Sequence, residues 1–263
     1  MLRQYCVKAF STNPLEGNPA AVVLLRDALP EPLMQRIAFI NGFPETVFLR
    51  SRSDDSRHYD IRWFTPTREV SNAGHATLAA QYVLAAVAEH DWTSITLHWT
   101  DRAPGCERVS NVSREKADVL DCGPAPALRT PGNAAADLGV ATKLSCGDDL
   151  VLVMDSEDQV KRFDAPLAQL VTLPYRGLCV TAPAARHDYC ARFFAPAYGV
   201  PEDFVTASAH HYLASFWAQR LDKSVLSAIQ HSASPGVLTA SVSAGRVELR
   251  GSCCIYSIDQ LYV

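Results

Sequence analysis

The sequence predicts two pseudosymmetric domains, each with its strands wrapped around one central helix, and two observations carry that expectation. The first is an internal repeat. Arg62-Trp63-Phe64-Thr65-Pro66 recurs as Arg192-Phe193-Phe194-Ala195-Pro196, 192 minus 62 or 130 positions on. Past a short turn holding an acidic residue, each copy is followed by a small-residue tetrapeptide. It reads Ala73-Gly74-His75-Ala76 in the first half and Thr206-Ala207-Ser208-Ala209 in the second, 206 minus 73 or 133 positions on. A repeat at half the chain length is unlike a solenoid, whose units recur every few tens of residues. The second observation is what comes after each tetrapeptide. Between Gly74 and Ala88 no residue is charged, and from Ala207 to Gln219 there is no Asp, Glu, Lys or Arg. A helix that is apolar on nearly all sides is buried all round.

Taken in order, Cys6 to Phe10 and Ala20 to Leu25 read as strands separated by Asn13-Pro14 and Gly17-Asn18-Pro19, which are turn punctuation. Pro30 to Gly42 reads as a helix with prolines near its entry and Asn41-Gly42 at its exit. Strands follow at Thr46 to Arg50, His58 to Phe64, Ile95 to Trp99 and Leu150 to Met154. Later ones lie at Gly177 to Ala182, Tyr189 to Phe194, Leu238 to Ser243 and Val247 to Leu249. The Pro- and Gly-rich stretch from Gly123 to Pro131 is the expected crossing point, which divides the chain into residues 1–122 and 123–263.

The bulk properties exclude several partners. At 263 residues with 48% hydrophobic side chains the chain can build real cores, while a net charge of −4 offers no basic footprint for nucleic acid. Its longest apolar stretch, Leu78 to Ala88, is broken by Gln81 and falls short of the ~20 residues that cross a bilayer. The start, Met1-Leu2-Arg3-Gln4-Tyr5-Cys6, has no secretory apolar region, and a cytoplasmic protein is expected. Eight cysteines (6, 106, 122, 146, 179, 190, 253 and 254) show neither a Cys-x-x-Cys pair nor a histidine at ligand spacing. They read as reduced, mostly buried thiols, with Cys253 and Cys254 either redox-sensitive or simply alternating along a terminal strand. No metal and no cofactor is implied.

Each central helix leaves backbone N–H groups unspent and a partial positive charge at its start. If both starts face one cleft between the halves, an anionic small molecule is held there without any arginine or metal. Glu45 shares a strand face with Val47 and Leu49. Its carboxyl is either an ordinary solvated strand-end group or one tuned by apolar neighbours for acid–base work.

These residues resemble the PhzF-like family, the phenazine-biosynthesis isomerases and their homologues. The resemblance lies in Gly17-Asn18-Pro19-Ala20-Ala21-Val22-Val23, Glu45-Thr46-Val47-Phe48, Arg62 to Pro66 with Glu69, Gly74-His75-Ala76-Thr77-Leu78-Ala79, and Glu202 to His210. It implies an α+β fold of the diaminopimelate-epimerase type, two pseudosymmetric halves each with a mixed sheet rolled about a central helix, and the site between them. It also implies that Glu45 is the acid/base, and that His75 and Asp203 hydrogen-bond the substrate's polar groups. Backbone N–H groups near Gly74, Ala207 and Ser208 would hold its carboxylate, with Asn18 bordering the site, and the protein would form a homodimer. Read from the residues alone, His75 is equally a core histidine, Asp203 a helix-capping carboxylate and Ser208 a small packing residue.

The related epimerases and proline racemases use one cysteine per half, and the corresponding positions here are Ala73 and Thr206. Two-thiol racemisation is therefore the third expectation, behind two others. The first is a cofactor-independent isomerase that moves a proton and a double bond on a small carboxylate-bearing metabolite. The second is a catalytically silent anion-binding or regulatory protein on the same scaffold. Departures from the family pattern bear on that choice. Ala207 stands for a glycine and adds a methyl where a ligand approaches backbone, Phe204 stands for a proline, and Pro44 removes a backbone donor just before Glu45.

Overall fold

The computed structural model describes residues 1–52, 57–87, 93–100, 107–131 and 142–263. Cys106 and the end of the uncharged stretch at Ala88 lie outside them. In chain order the first strands are β1 (Leu2–Ala9), β2 (Asn18–Leu25), β3 (Glu45–Ser51), β4 (His58–Phe64), β5 (Glu69–Val70), β6 (Ser94–Thr100) and β7 (Glu107–Ser113). Next come β8 (Val119–Pro124), β9 (Thr142–Cys146), β10 (Asp149–Val153), β11 (Gly177–Pro183), β12 (Tyr189–Ala195) and β13 (Val200–Asp203). The last are β14 (Val225–Gln230), β15 (Gly236–Ser243), β16 (Arg246–Arg250) and β17 (Cys253–Leu261). The helices are α1 (Glu31–Asn41), α2 (Gly74–Val87), α3 (Glu157–Arg162), α4 (Leu167–Leu170) and α5 (Ala207–Leu221). No helix among the described residues is long and apolar enough to cross a membrane.

The chain forms two compact units, Met1–Val119 with Ser252–Val263, and Leu120–Gly251. The sequence boundary after Cys122 assigns the last strand to the second half. In the structure that strand returns to the first unit, because β17 pairs antiparallel with the whole of β1, from Leu2↔Leu261 to Ala9↔Cys253. A chain terminus that ladders onto the first strand satisfies a full row of backbone donors and acceptors, and nothing in its composition announces the partner.

The first unit holds a sheet in the order β17-β1-β2-β3-β4-β6-β7, and the second a sheet in the order β8-β16-β15-β14-β12-β11-β10-β9. From β1 to β7 successive neighbours pair antiparallel, parallel, antiparallel, parallel and antiparallel. From β9 to β15 the same senses recur in the same sequence. The duplication seen in short peptides is therefore a duplication of topology. The parallel steps need crossovers. In the first unit α1 and α2 supply them, and in the second α3 with α4, and then α5.

The repeated pentapeptide has a physical role in each unit. Arg62 donates from Nε to Glu69 Oε1 at 2.6 Å and lies over the Phe64 ring, 5.1 Å from its centroid. Arg192 donates from Nε to Glu202 Oε1 at 2.6 Å and lies over the Phe194 ring at 4.8 Å. In both units the arginine ties β4 or β12 to the short strand that leads into the central helix.

Side-chain alternation places the cores. Val47 and Leu49 pack with Ala20, Val22, Ile61 and Trp63 against Ala76, Ala79, Ala80 and Val83 of α2. Phe48 and Phe64, on the opposite face, pack with Met34, Ile37 and Ala38 of α1. α1 ends where Gly42 adopts a left-handed φ of 64° and its N–H bonds the Ala38 carbonyl, the exit expected of Asn41-Gly42. Strands β7 and β9 escape the sequence reading because they are polar sheet members, Glu-Arg-Val-Ser-Asn-Val-Ser and Thr-Lys-Leu-Ser-Cys, without an apolar run.

Candidate functional site

At one end of the first unit the turn before β2 brings Asn18 into place. Gly17 has φ +81°, and a Cβ there would collide with the Ala9 carbonyl oxygen and lie 2.9 Å from Ser11 Cβ. Only glycine fits both the backbone region and the close approach. Asn18 then opens β2 opposite Ala9, fully buried. Two residues on, Ala20 pairs with Glu45 across the parallel β2–β3 ladder, so Asn18, Ala20 and Glu45 belong to the sheet face that covers α2.

Glu45 begins β3, and His75 is the second residue of α2. His75 Nε2 lies 3.0 Å from Glu45 Oε2, with the side chains only 8% and 18% exposed. The contact has the length of a hydrogen bond without its alignment. The helix start is held by Thr77, which donates its hydroxyl to the Ala73 carbonyl at 2.9 Å and accepts from Trp63 Nε1 at 3.1 Å. Asn18, Glu45 and the adjacent pair Gly74-His75 lie well apart in the sequence, and the fold of this one unit gathers them.

In the second unit, Asp203 closes β13 and Ala207 and Ser208 open α5 behind the N-cap residue Thr206. The Thr206 hydroxyl donates to Asp203 Oδ2 at 2.6 Å, and the Thr206 N–H donates to Gln230 Oε1 at 2.8 Å. Gln230 Nε2 donates to the Asp203 carbonyl at 3.0 Å and to Thr206 Oγ1 at 3.1 Å. His210, wholly buried, lies with Nε2 3.2 Å from Gln230 Oε1 and Nδ1 3.0 Å from the Tyr189 hydroxyl. An amide oxygen only accepts, so Nε2 carries the proton and Nδ1 accepts from Tyr189. Burial, opposed by the Gln230 hydrogen bond, pushes His210 down to about 4, and the neutral ring is a fixed part of this network.

Sequence reasoning missed Arg176 and Asp149. Arg176 grips the buried Asp149 carboxylate in a fork, Nε to Oδ1 at 2.8 Å and Nη2 to Oδ2 at 2.5 Å, and its Nη2 also donates to Ser208 Oγ at 3.0 Å. An arginine thus stands at the start of α5, beside the N–H groups from which the sequence expects an anion to be held. The two partners stand 27 residues apart, and no local pattern joins them. Two thiols adjoin this pair, since Cys146 faces Asp149 across the β9–β10 ladder and Cys179 lies on the neighbouring strand β11. Burial pushes Cys6 up to about 11 and Cys190 and Cys253 up to about 12, which suppresses the reactive thiolate.

Two pseudo-equivalent halves, each a mixed sheet with a central helix, define the epimerase-like class of α+β fold. Within that class the chain belongs to the family of phenazine biosynthesis-like proteins (PhzC-PhzF), whose profile matches residues 7–257. A Pseudomonas aeruginosa protein named as an uncharacterized isomerase is 40% identical over 260 residues, covering 97% of this chain and 96% of its own. A PhzF-family crystal structure from Enterococcus faecalis superposes with a TM-score of 0.86 at 33% identity, covering 100% of this chain and 99% of that one. A predicted epimerase from Pseudomonas aeruginosa shares the fold at a TM-score of 0.70 and 20% identity over the full length of both chains.

Proposed function

We propose that this protein is a cofactor-independent isomerase that moves a proton, and with it a double bond, on a small carboxylate-bearing metabolite, with Glu45 as the acid/base. The observation that supports it most directly is the contact between the Glu45 carboxyl and the buried His75 ring. In the proposed step the Glu45 carboxylate takes a proton from a carbon beside an electron-withdrawing group. The C–H electron pair passes into an enolate-like state whose charge rests on a substrate oxygen. Protonated Glu45 then delivers the same proton to a carbon further along the conjugated system, and the double bond settles in its new position. Nothing is consumed, so one carboxyl suffices as base and then acid. His75 holds the carboxyl in orientation through both steps and hydrogen-bonds the substrate's polar groups, and N–H groups near Gly74 take its carboxylate at the start of α2. In the second unit Asp203, Ser208 and the N–H groups near Ala207 are the proposed substrate contacts. Acid–base catalysis of this type contributes about 10²–10⁴ in rate, and electrostatic stabilisation of the enolate-like state adds more.

The test is solvent-deuterium incorporation, followed by proton NMR, across a panel of small unsaturated carboxylates. The wild type is expected to label at least one of them. Glu45→Gln should lower that rate by about 10²–10⁴ while melting within about 1 kcal/mol of the wild type. Exchange that survives the substitution removes Glu45 from the role. A wild type that binds carboxylates and labels none is the silent anion-binding protein instead.

A further inference from the structure

The Ser208 hydroxyl is more tightly specified than a packing residue requires. Arginine carries only donors, so in its 3.0 Å bond with Arg176 Nη2 the serine oxygen must accept. The hydroxyl proton is thereby turned away from Arg176 and left to donate. The guanidinium cannot swing off, because its Nε and Nη2 are both committed to Asp149, whose side chain is 4% exposed. Bidentate pairs of this kind fix orientation as well as charge. The guanidinium also rests over the Phe193 ring, 5.2 Å from its centroid. That ring has room because residue 177 is glycine, where a Cβ would stand 2.5 Å from Phe193 Cζ. Residues from β10, β12, the start of β11 and α5 thus converge on the rotor of one exposed hydroxyl.

We propose that Arg176, clamped by Asp149, is a positioning residue that turns the Ser208 hydroxyl proton outward to donate, so that the substrate group met there is an acceptor oxygen of a carboxylate or carbonyl, which the adjacent guanidinium charge favours over an ammonium group. The proposal rests on the reading of Ser208 as a substrate contact. It adds a residue pair and a rule of selectivity to that reading.

A double-mutant cycle tests it. Dissociation constants for succinate and benzoate, with benzylamine as the amine control, are measured by titration calorimetry on the wild type, Arg176→Lys, Ser208→Ala and the double variant. Lysine keeps a cation for Asp149 but has no second nitrogen to reach the serine. Each single substitution should weaken carboxylate binding by about 5- to 10-fold, the worth of one directed hydrogen bond, and the double variant should be no weaker than either. Benzylamine should bind weakly and alike to all four. Should Arg176→Lys fail to fold, Asp149→Asn, which loosens the clamp from the other side, takes its place in the cycle. The proposal is overturned if the double variant weakens by the product of the two single effects, since Arg176 then acts independently of Ser208. It is also overturned if the arginine substitution changes nothing, or if the wild type binds neither carboxylate. Binding without deuterium exchange sinks the isomerase reading alone, and the cycle still decides the role of Arg176.

Discussion

The two central-helix starts descend from one frame and carry opposite chemistry. Phe48 faces Arg62 across β3 and β4 as Val180 faces Arg192 across β11 and β12, so counting back three residues makes Gly177 the counterpart of Glu45. By the helix offset of 133 positions, Ser208 is the counterpart of His75 and His210 of Thr77. One start thus presents a carboxyl against an imidazole, groups that exchange protons. The other presents a hydroxyl, an arginine fork and a neutral buried histidine, groups that hold a fixed pattern of donors. Duplication supplied the same backbone twice, and side-chain divergence gave the two starts different chemistry, which the proposed function reads as a proton-transfer end and a binding end.

The sharpest way to break that comparison is to make position 177 resemble its counterpart. A Cβ there meets the Phe193 ring at 2.5 Å and the Phe194 carbonyl oxygen at 2.9 Å, so Gly177→Ala should cost about 3 kcal/mol or more through forced repacking, measured by urea denaturation. A stability loss below about 0.5 kcal/mol would show that the second unit tolerates a side chain there and that its asymmetry is not built into the packing.

The next effect concerns how each helix start is held. Thr77 uses a hydroxyl that does not titrate, whereas His210 has its folded value pushed down to about 4 from 6.5. In that window the unfolded chain binds the extra proton and the folded chain does not, so the contribution of His210 is full above pH 6.5 and is lost as pH falls toward 4. Between pH 6.5 and 5 this amounts to about 2 kcal/mol. Thermal melts across that range should show a steeper decline for the wild type than for His210→Gln. Parallel curves would mean that the ring takes up its proton without leaving the fold.

The smallest expected difference separates the repeated arginines. Arg62 pairs with Glu69 and Glu31 at 35% exposure. Arg192 is 16% exposed and donates from Nη1 to the Val160, Lys161 and Phe163 carbonyls at the end of α3, at 3.2, 3.2 and 2.8 Å. Partly solvated ion pairs are worth about 1 kcal/mol or less, while charged hydrogen bonds to half-buried carbonyls are worth more. Arg62→Met should therefore destabilise by about 1 kcal/mol and Arg192→Met by about 2–3 kcal/mol in denaturant titrations. Equal losses would indicate that the repeat does the same structural work in both units.

Much of this architecture is visible in the sequence, for local reasons. Gly17 and Gly42 mark backbone regions that other residues avoid, the alternation of β3 assigns Glu45 to the face of Val47 and Leu49, and uncharged stretches of helical length have to be buried. The polar strands β7 and β9 gave no such sign, since their place in the sheet comes from backbone pairing and not from their own side chains. For β17 the sequence offers a terminal strand at Cys253 and Cys254 but not its partner, since β1 lies at the other end of the chain.

By itself the sequence determined the duplication, the two central helices and the motifs around Glu45, His75, Asp203 and Ser208, because each is written in neighbouring residues whose periodicity or conformational preference is short-ranged. Tertiary structure alone decided that Asp149 and Arg176 converge on Ser208, that Gln230 and Tyr189 set the tautomer of His210, and that no side chain fits at residue 177. Those outcomes depend on distances between strands far apart in the chain, and a hydrogen bond or a ring contact is made or lost within an ångström that no local pattern records.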